Sequence, residues 1–431
     1  MIFSKAETFI RKKMQRHQLE NLKATAERVY HLVPFYKRKF EECGVNPDSI
    51  QTLCDIRKLP FTKKQDLRDN YPYGLFSVCM DQIVRIHSSS GTTGKPTVVG
   101  YTEKDMDIWS EVMGRILRMG GVVSSDILHN AIGYGLFTGG LGFHEAAQRM
   151  KVTVIPSSTG FTSRQLLLMK DFKPTIINTT PSFALHMAET AIKEGYDLHK
   201  DFNLRVGFFG AEPASQGLKD EIKDIWGIPF HEVYGLSEII GPGVAGSCNH
   251  SNKLHINEDH FYAEIIDPET LEPVEEGERG ELVLTTITKQ GLPIIRYRTG
   301  DITSLDYTPC RCGRTTVKME SVVGRCDDML IVSGVNIFPS QIEHILANIE
   351  GITLNYQIVV EKKGHLDRLE LDVEINDDIM SDSIKDLNHL KKEIQKELLN
   401  HLYLNAQVKL VQANSIERSQ GKAVRIIDKR K

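Results

Sequence analysis

The chain has 431 residues, 40% of them hydrophobic and 26% charged, a soluble globular balance in a length too great for one ordinary core. Its 53 basic and 57 acidic residues leave a formal charge of −4, which excludes a broadly basic nucleic-acid surface while allowing a local phosphate-binding patch. Seven cysteines argue against a disulfide framework, and with no apolar signal core after Met1-Ile2-Phe3-Ser4-Lys5 and no run of membrane-spanning length, a reduced, cytosolic protein is expected.

Residues 6–47 read as helical, with Val29, Leu32, Phe35, Tyr36 and Phe40 spaced to form one buried face, and Pro34 separates two helices. Pro60-Phe61-Thr62 reads as an extended link ending in an N-cap at Thr62, because Asp66 follows at the spacing of a capping box. From about 83 to 320, β-branched runs at 152–155, 175–177, 206–209 and 281–284 alternate with helical periods at 164–172, 183–195 and 216–226. That alternation predicts a layered α/β body with a largely parallel sheet.

The last hundred residues have another texture. Leu369, Leu371, Val373 and Ile375 alternate as a strand, Ile384, Leu387, Leu390, Ile394, Leu398 and Leu402 mark an amphipathic helix, and Val408 and Leu410 begin a further strand. A small α+β domain is expected there, with the boundary near Gly324–Asp328, dividing the chain into residues 1–326 and 327–431.

The run Ser88-Ser89-Ser90-Gly91-Thr92-Thr93-Gly94-Lys95-Pro96-Thr97 carries the chemistry most openly. Glycines let the backbone approach an anion, hydroxyls and amides donate to phosphate oxygens, and Lys95 adds a point charge. A plain Ser/Gly surface loop is the bland alternative. A Walker loop fails at both ends, because Ser89 stands where glycine is needed and Pro96 follows the lysine.

Further segments follow in order: Gly210-Ala211-Glu212-Pro213, Tyr234-Gly235-Leu236-Ser237-Glu238, Tyr297-Arg298-Thr299-Gly300-Asp301, Gly324-Arg325-Cys326-Asp327-Asp328 with Ser333-Gly334, and Gly421-Lys422-Ala423-Val424-Arg425. Together with the Ser/Gly/Thr run they resemble the adenylate-forming superfamily. Val33-Pro34-Phe35-Tyr36, Leu67-Arg68-Asp69-Asn70-Tyr71-Pro72, Tyr134-Gly135-Leu136-Phe137-Thr138-Gly139-Gly140 and Ile239-Ile240-Gly241-Pro242-Gly243 look like the phenylacetate–CoA ligase family within it.

The resemblance implies a large layered N-terminal α/β domain of the adenylate-forming fold and a small mobile C-terminal α+β domain. It implies ATP, Mg²⁺ and coenzyme A as co-substrates and cofactor, an aryl acid as substrate, and a homodimer, with neither nucleic acid nor membrane as partner. Gly210, Ala211, Glu212, Tyr234 and Gly235 would line the adenine pocket, with Pro213 and Ser237 in the same two nucleotide-binding segments. Glu238 would hold Mg²⁺, a metal that suits a hard oxygen donor. Asp301 would accept from the ribose hydroxyls, with Arg325 as a charged contact nearby; a turn-forming Asp is the alternative. Lys422 would bridge the acid carboxylate and the α-phosphate as adenylate forms, where two anions must meet; an exposed tail lysine is the alternative. Asp327 would be the hinge and Gly334 would pass close to the CoA arm.

Tyr134, Phe137, Ile240, Gly241 and Pro242 are candidates for the acyl pocket, with ordinary core packing as the alternative. Cys310-Arg311-Cys312-Gly313, with Cys248 and His255 upstream, would make a Cys₃His zinc site if the fold joins them, with His250 or His260 as substitute ligands; the alternative is four unliganded side chains. Cys43, Cys54, Cys79 and Cys326 are expected to pack in the interior. Three functions fit: the acid–CoA ligase; an adenylating enzyme with another acceptor, such as a deazaflavin cofactor; and a non-catalytic acid or nucleotide sensor. The sensor would be expected to lose Lys422 or Glu238, and both are present.

Overall fold

The computed structural model describes residues 2–88, 96–326, 330–332, 335–363, 366–376, 384–402, 406–417 and 425–429. Its chain forms two compact units: Met1–Thr179 with Lys200–Ala211 and Pro229–Ser321, and Thr180–His199 with Glu212–Ile228 and Val322–Lys431.

The first unit opens with helices α1 (Arg11–Leu32) and α2 (Pro34–Glu42). Pro34 sits in the first turn of α2, where a missing N–H breaks no helical bond, and Val33 N closes α1 by donating to Val29 O at 3.0 Å. Val29, Phe35, Tyr36 and Phe40 are buried, but Leu32 is 54% exposed, because the break after it turns its side chain off the shared face. Thr62 does not cap the next helix, α3 (Lys64–Asp69); Lys63 holds that position and its N–H donates to Asp66 Oδ2 at 2.7 Å. Asp66 stands three residues after Lys63 and four after Thr62, so the box closes on Lys63; Thr62 Oγ1 donates to Ile295 O at 2.6 Å, and its backbone exchanges bonds with Arg296 and Arg298.

Strands β1 (Arg85–Ser88) and β2 (Val98–Tyr101) pair antiparallel on either side of the phosphate-loop run. Helix α4 (Glu103–Met119) follows, its Thr102 cap accepting from Asp105 N at 3.2 Å. Then come β3 (Ile127–Asn130), α5 (Thr138–Arg149), β4 (Thr153–Ile155), α6 (Thr162–Phe172), β5 (Ile176–Thr179), β6 (Val206–Gly210), β7 (Phe230–Leu236), β8 (Gly241–Cys248), β9 (Ser251–Ile256), β10 (Phe261–Ile266), β11 (Gly280–Thr286), β12 (Tyr297–Thr303), β13 (Leu305–Asp306) and β14 (Lys318–Met319).

A nine-stranded sheet runs β13-β14-β9-β8-β7-β6-β5-β3-β4. It is parallel from β4 through β7, as the strand–helix alternation predicts, and antiparallel from β7 to β13; the run at 281–284 does not join it but forms β11 of an antiparallel sheet, no helix leading into it. Every residue of β5 is buried, the mark of a strand covered on both faces. Strands β10, β11 and β12 pair antiparallel beside it in sequence as a second sheet.

The second unit contains α7 (Pro181–Lys193) and α8 (Gln216–Trp226), joined where Trp226 Nε1 donates to Ala184 O at 3.0 Å. The short strand β15 (Gly324–Arg325) precedes a hairpin of β16 (Leu330–Val332) and β17 (Val335–Ile337). Helix α9 (Pro339–Leu346), strands β18 (Ile352–Lys363) and β19 (Leu366–Ile375), helix α10 (Ile384–Leu402), β20 (Gln407–Val411) and β21 (Ile426–Asp428) complete it. Their sheet runs β20-β19-β18-β21. Leu369, Leu371, Val373 and Ile375 of β19 are buried, as are Leu390, Ile394, Leu398 and Leu402 of α10, while Leu387 in its first turn is only half-buried, so the helical period marks the core from Leu390 onward.

Candidate active site

Tyr234 and Asp301 meet: Tyr234 Oη donates to Asp301 Oδ2 at 2.6 Å, and Asp301 N donates to Thr299 Oγ1 at 3.0 Å. Asp301 is 7% exposed, so a carboxylate is held at the edge of solvent with one oxygen committed to a phenol. Gly235 allows the chain reversal beside it, since a Cβ there would lie 2.0 Å from Gly241 O.

Glu238 is buried and, among the described residues, its hydrogen-bond partner is Thr97 Oγ1 at a long 3.5 Å. A nearly dry carboxylate with so little satisfaction fits a hard cation such as Mg²⁺. Thr97 was part of the glycine-rich run, yet its place against Glu238 follows only from the β1–β2 pairing. Ser237 Oγ bonds Thr138 Oγ1 at 3.0 Å, bringing the start of α5 against the turn that follows β7.

Ser88 ends β1, buried, its N–H donating to Leu136 O at 3.0 Å. Ser89, Ser90, Gly91, Thr92, Thr93, Gly94 and Lys95 lie outside the described residues, as do Asp327, Gly334 and Lys422. Gly210 ends β6 where a Cβ would stand 2.5 Å from Val233 O, and Ala211 follows at φ +70°. In the second unit, Glu212 Oε1 accepts from Ser182 N at 2.5 Å, tying the segment before α8 to the first turn of α7, with Pro213 next along. Arg325 is half-buried on β15 of the same unit.

Of the acyl-pocket candidates, Ile240 is buried and Gly241 and Pro242 open β8. A Cβ on Gly142 of α5 would lie 2.7 Å from Pro242 Cγ, so α5 and this segment are in close contact. Tyr134 Oη accepts from Asn130 Nδ2 at 2.7 Å and lies 3.1 Å from His144 Nδ1; burial raises its pKa, so it stays a neutral phenol. Phe137, just before α5, is 49% exposed. Sequence reasoning passed over Lys289, whose ammonium is buried here and donates to Ile239 O at 2.7 Å. Burial brings its pKa down to about 8, with the carboxylates of Asp105 and Glu238 opposing. The signal available was a lysine set between the apolar stretches 282–287 and 292–295.

The fold also joins the cysteine and histidine segments. Cys248 ends β8, His255 lies on β9, and Cys310 and Cys312 flank a turn closed by Gly313 N to Cys310 O at 3.1 Å. Their four donor atoms all lie within 4.8 Å of one another. Cys248 Sγ is 3.7 Å from Cys310 Sγ, Cys312 Sγ is 3.4 Å from His255 Nε2, and Thr316 Oγ1 holds the other ring nitrogen at 3.0 Å. Contact with Cys312 and burial push the Cys248 thiol up, while contact with Cys248 and His255 holds Cys312 down toward thiolate. His260 is not a substitute ligand; it sits beside Asp259 and Glu111, with Thr288 Oγ1 at 2.8 Å. His250 reaches the cluster through its backbone, N–H to Cys248 Sγ at 3.4 Å. Cys43, Cys54 and Cys79 are exposed and Cys326 half-exposed rather than packed in the core; Cys43 sits at the end of α2 and Cys54 in a surface 3-10 turn.

The AMP-binding enzyme family matches residues 38–288, and the AMP-binding enzyme C-terminal domain matches residues 334–430. A phenylacetate-coenzyme A ligase of Thermus thermophilus is 44% identical, covering 99% of this chain and 98% of its own. One of Escherichia coli is 46% identical, covering 97% and 95%. A crystal structure of 2-hydroxyisobutyryl-CoA ligase in the postadenylation state, with an acyl-AMP bound, superimposes with a TM-score of 0.93 at 28% identity, covering 99% of this chain and 91% of that one. These relatives favour neither the alternative acceptor nor the sensor. The chain belongs to the phenylacetate–CoA ligase family of adenylate-forming, AMP-binding enzymes.

Proposed function

We propose that this protein activates an aryl acid, phenylacetate first among them, as its acyl-adenylate and passes the acyl group to coenzyme A. The acid carboxylate attacks the α-phosphorus of ATP, and the bond to pyrophosphate breaks. The CoA sulfur then attacks the acyl carbon, forming the thioester and expelling AMP. The observation that carries the reading is the Tyr234–Asp301 contact at 2.6 Å, which joins two motifs of the ordered set, with buried Glu238 four residues on from Tyr234.

In this reading Asp301 accepts from ribose hydroxyls, with Gly210, Ala211, Glu212, Pro213, Tyr234 and Gly235 about the adenine and Arg325 as an added charge. Glu238 and Thr97 would hold Mg²⁺, which would screen phosphate charge as the two anions approach. The run Ser88–Lys95 cradles the phosphates. Lys422 neutralises the meeting carboxylate and α-phosphate, and residues 327–431 move about Asp327 to bring Gly334 near the CoA arm. A cytosolic homodimer belongs to the same proposal, with sedimentation velocity as the check on the dimer.

Pyrophosphate release that needs acid but not CoA, followed by thioester only when CoA is added, is the expected result across a panel of arylacetic, benzoic, indolic and fatty acids. Pyrophosphate release with no acid in the panel, or thioester without AMP, would refute it.

The proposal extends to a structural zinc ion on Cys248, His255, Cys310 and Cys312. Three soft sulfurs and one imidazole suit Zn²⁺, whose tetrahedral preference matches four converging donors. Thr316 would fix the His255 ring so that Nε2 offers its lone pair.

A further inference from the structure

Three donors, from β2, α4 and the connection after β11, converge on the carbonyls of one short segment. Lys289 Nζ donates to Ile239 O at 2.7 Å, Tyr101 Oη to Ile240 O at 3.1 Å, and Trp109 Nε1 to Pro242 O at 2.8 Å. The donors also stack on one another. Lys289 Nζ lies 4.7 Å from the Tyr101 ring centroid, and the Tyr101 and Trp109 rings are parallel to within 16° at 5.0 Å. The His87 ring stands edge-on to both.

This arrangement is a costly way to fill space. Taking an ammonium out of water is strongly unfavourable, and an apolar side chain of similar volume would pack the same slot without that penalty. Lys289 is nevertheless only 3% exposed, with the Tyr101 face and the Ile239 carbonyl around its charge and Asp105 and Glu238 within electrostatic reach. Asp105 is itself saturated by the N–H groups of Thr102, Gln290 and Gly291 at 3.0, 2.7 and 2.7 Å.

The segment is confined from its other side as well. Gly241 has φ +92°, and a Cβ there would meet Thr138 Cβ at 2.7 Å and Trp109 Cζ2 at 2.8 Å. A wall held by its carbonyls from behind and by α5 along its length cannot bulge to admit a thicker ligand.

We infer that Lys289, Tyr101 and Trp109 are positioning residues for the acyl substrate, setting the Ile239–Pro242 wall at the spacing that admits a flat aryl group. The inference rests on the assignment of Ile240, Gly241 and Pro242 to the acid pocket of the proposed ligase. None of the three side chains needs to touch the acid; each acts through the backbone it holds.

The test is steady-state kinetics on the full chain with phenylacetate and hexanoate as alternative acids. Lys289→Met keeps the aliphatic stem and removes the charged donor. It is expected to raise KM for phenylacetate about tenfold, leave KM for ATP within about twofold, and lower the preference for phenylacetate over hexanoate about fivefold. Tyr101→Phe keeps the ring, removes one donor, and is expected to shift the acid KM about threefold in the same direction. It decides the matter if Lys289→Met does not fold. Acid and ATP constants rising together, or an unmoved acid KM in the folded variants, overturns the inference while wild-type turnover leaves the ligase reading standing. A wild-type protein that releases pyrophosphate with no acid sinks both.

Discussion

Tyr234 Oη donates to Asp301 Oδ2 at 2.6 Å across 67 residues of sequence, linking β7 to β12. A phenol is a strong donor to a carboxylate, so it fixes which oxygen of Asp301 faces the protein and how the group is turned. Tyr234→Phe keeps the ring and removes that restraint. KM for ATP is expected to rise roughly three- to tenfold with kcat nearly unchanged, since ribose binding contributes equally to ground and transition states. A fall in kcat at unchanged KM would assign the pair another task.

Glu238 supplies the clearest charge test. Glu238→Gln keeps shape and one acceptor oxygen but removes the negative charge from a nearly dry position. Pyrophosphate release is expected to drop about a hundredfold, and raising Mg²⁺ should recover part of it, because an amide oxygen is a weaker ligand for a hard cation. Titration of initial rate against free Mg²⁺ reads both. An unshifted Mg²⁺ requirement would remove Glu238 from the metal.

The cysteine–histidine cluster predicts about one zinc per chain after exhaustive dialysis, by elemental analysis. Cys312→Ser should abolish retention, and a strong chelator should lower the melting temperature by about 5 °C or more, since a metal there would tie the β8–β9 hairpin to the 310–313 turn. Well under one zinc per chain, or melting indifferent to chelator, would leave four reduced side chains in its place.

Lys289 also predicts a pH dependence of stability. Its folded pKa is about 8, against 10.5 for an exposed lysine, so the unfolded chain binds more protons between those values. Stability from this residue therefore rises with pH across pH 8 to 10.5, and the penalty for the buried ammonium is fully present below pH 8. Its size is roughly 3 kcal/mol. Urea unfolding of wild type and Lys289→Met at pH 7 and pH 10 checks the sign: the wild type should gain on the variant at the higher pH.

Much of this was legible in the sequence because local rules and long-range packing agree. The branched runs around 176 and 206 are strands buried on both faces, and Pro34 starts a helix where a proline costs nothing. Legibility failed where a distant partner took over. Asp66 lies four residues after Thr62 and three after Lys63, so the capping-box spacing belongs to Lys63, while the Thr62 hydroxyl goes to Ile295 O, a bond no local window contains. Leu32 carries the right period but sits at the break before Pro34 and faces out. Lys289 defeats the rule that lysines lie at the surface, and only its three-dimensional partners explain why. The second unit joins α7 and α8 to the C-terminal residues, a grouping made by contacts across more than a hundred positions of sequence.

The meeting of α8 with α9 gives a prediction in which the sign itself decides. Glu343 Oε1 of α9 accepts from Ser215 N at 3.1 Å, and Ser215 Oγ caps α8 by accepting from Leu218 N at 3.2 Å. Two residues on, a Cβ added at Gly217 would lie 2.3 Å from Ala347 Cβ, far inside carbon contact distance. In a free helix Gly→Ala stabilises by about 1 kcal/mol, so propensity and packing pull in opposite directions here. The clash involves an atom that cannot swing away, and packing should win: Gly217→Ala is expected to destabilise by roughly 1–3 kcal/mol. Adding Ala347→Gly should restore most of the loss, a coupling between the sites that a change in helix propensity alone would not produce. If Gly217→Ala raised the melting temperature, α8 and α9 would not be in the contact described.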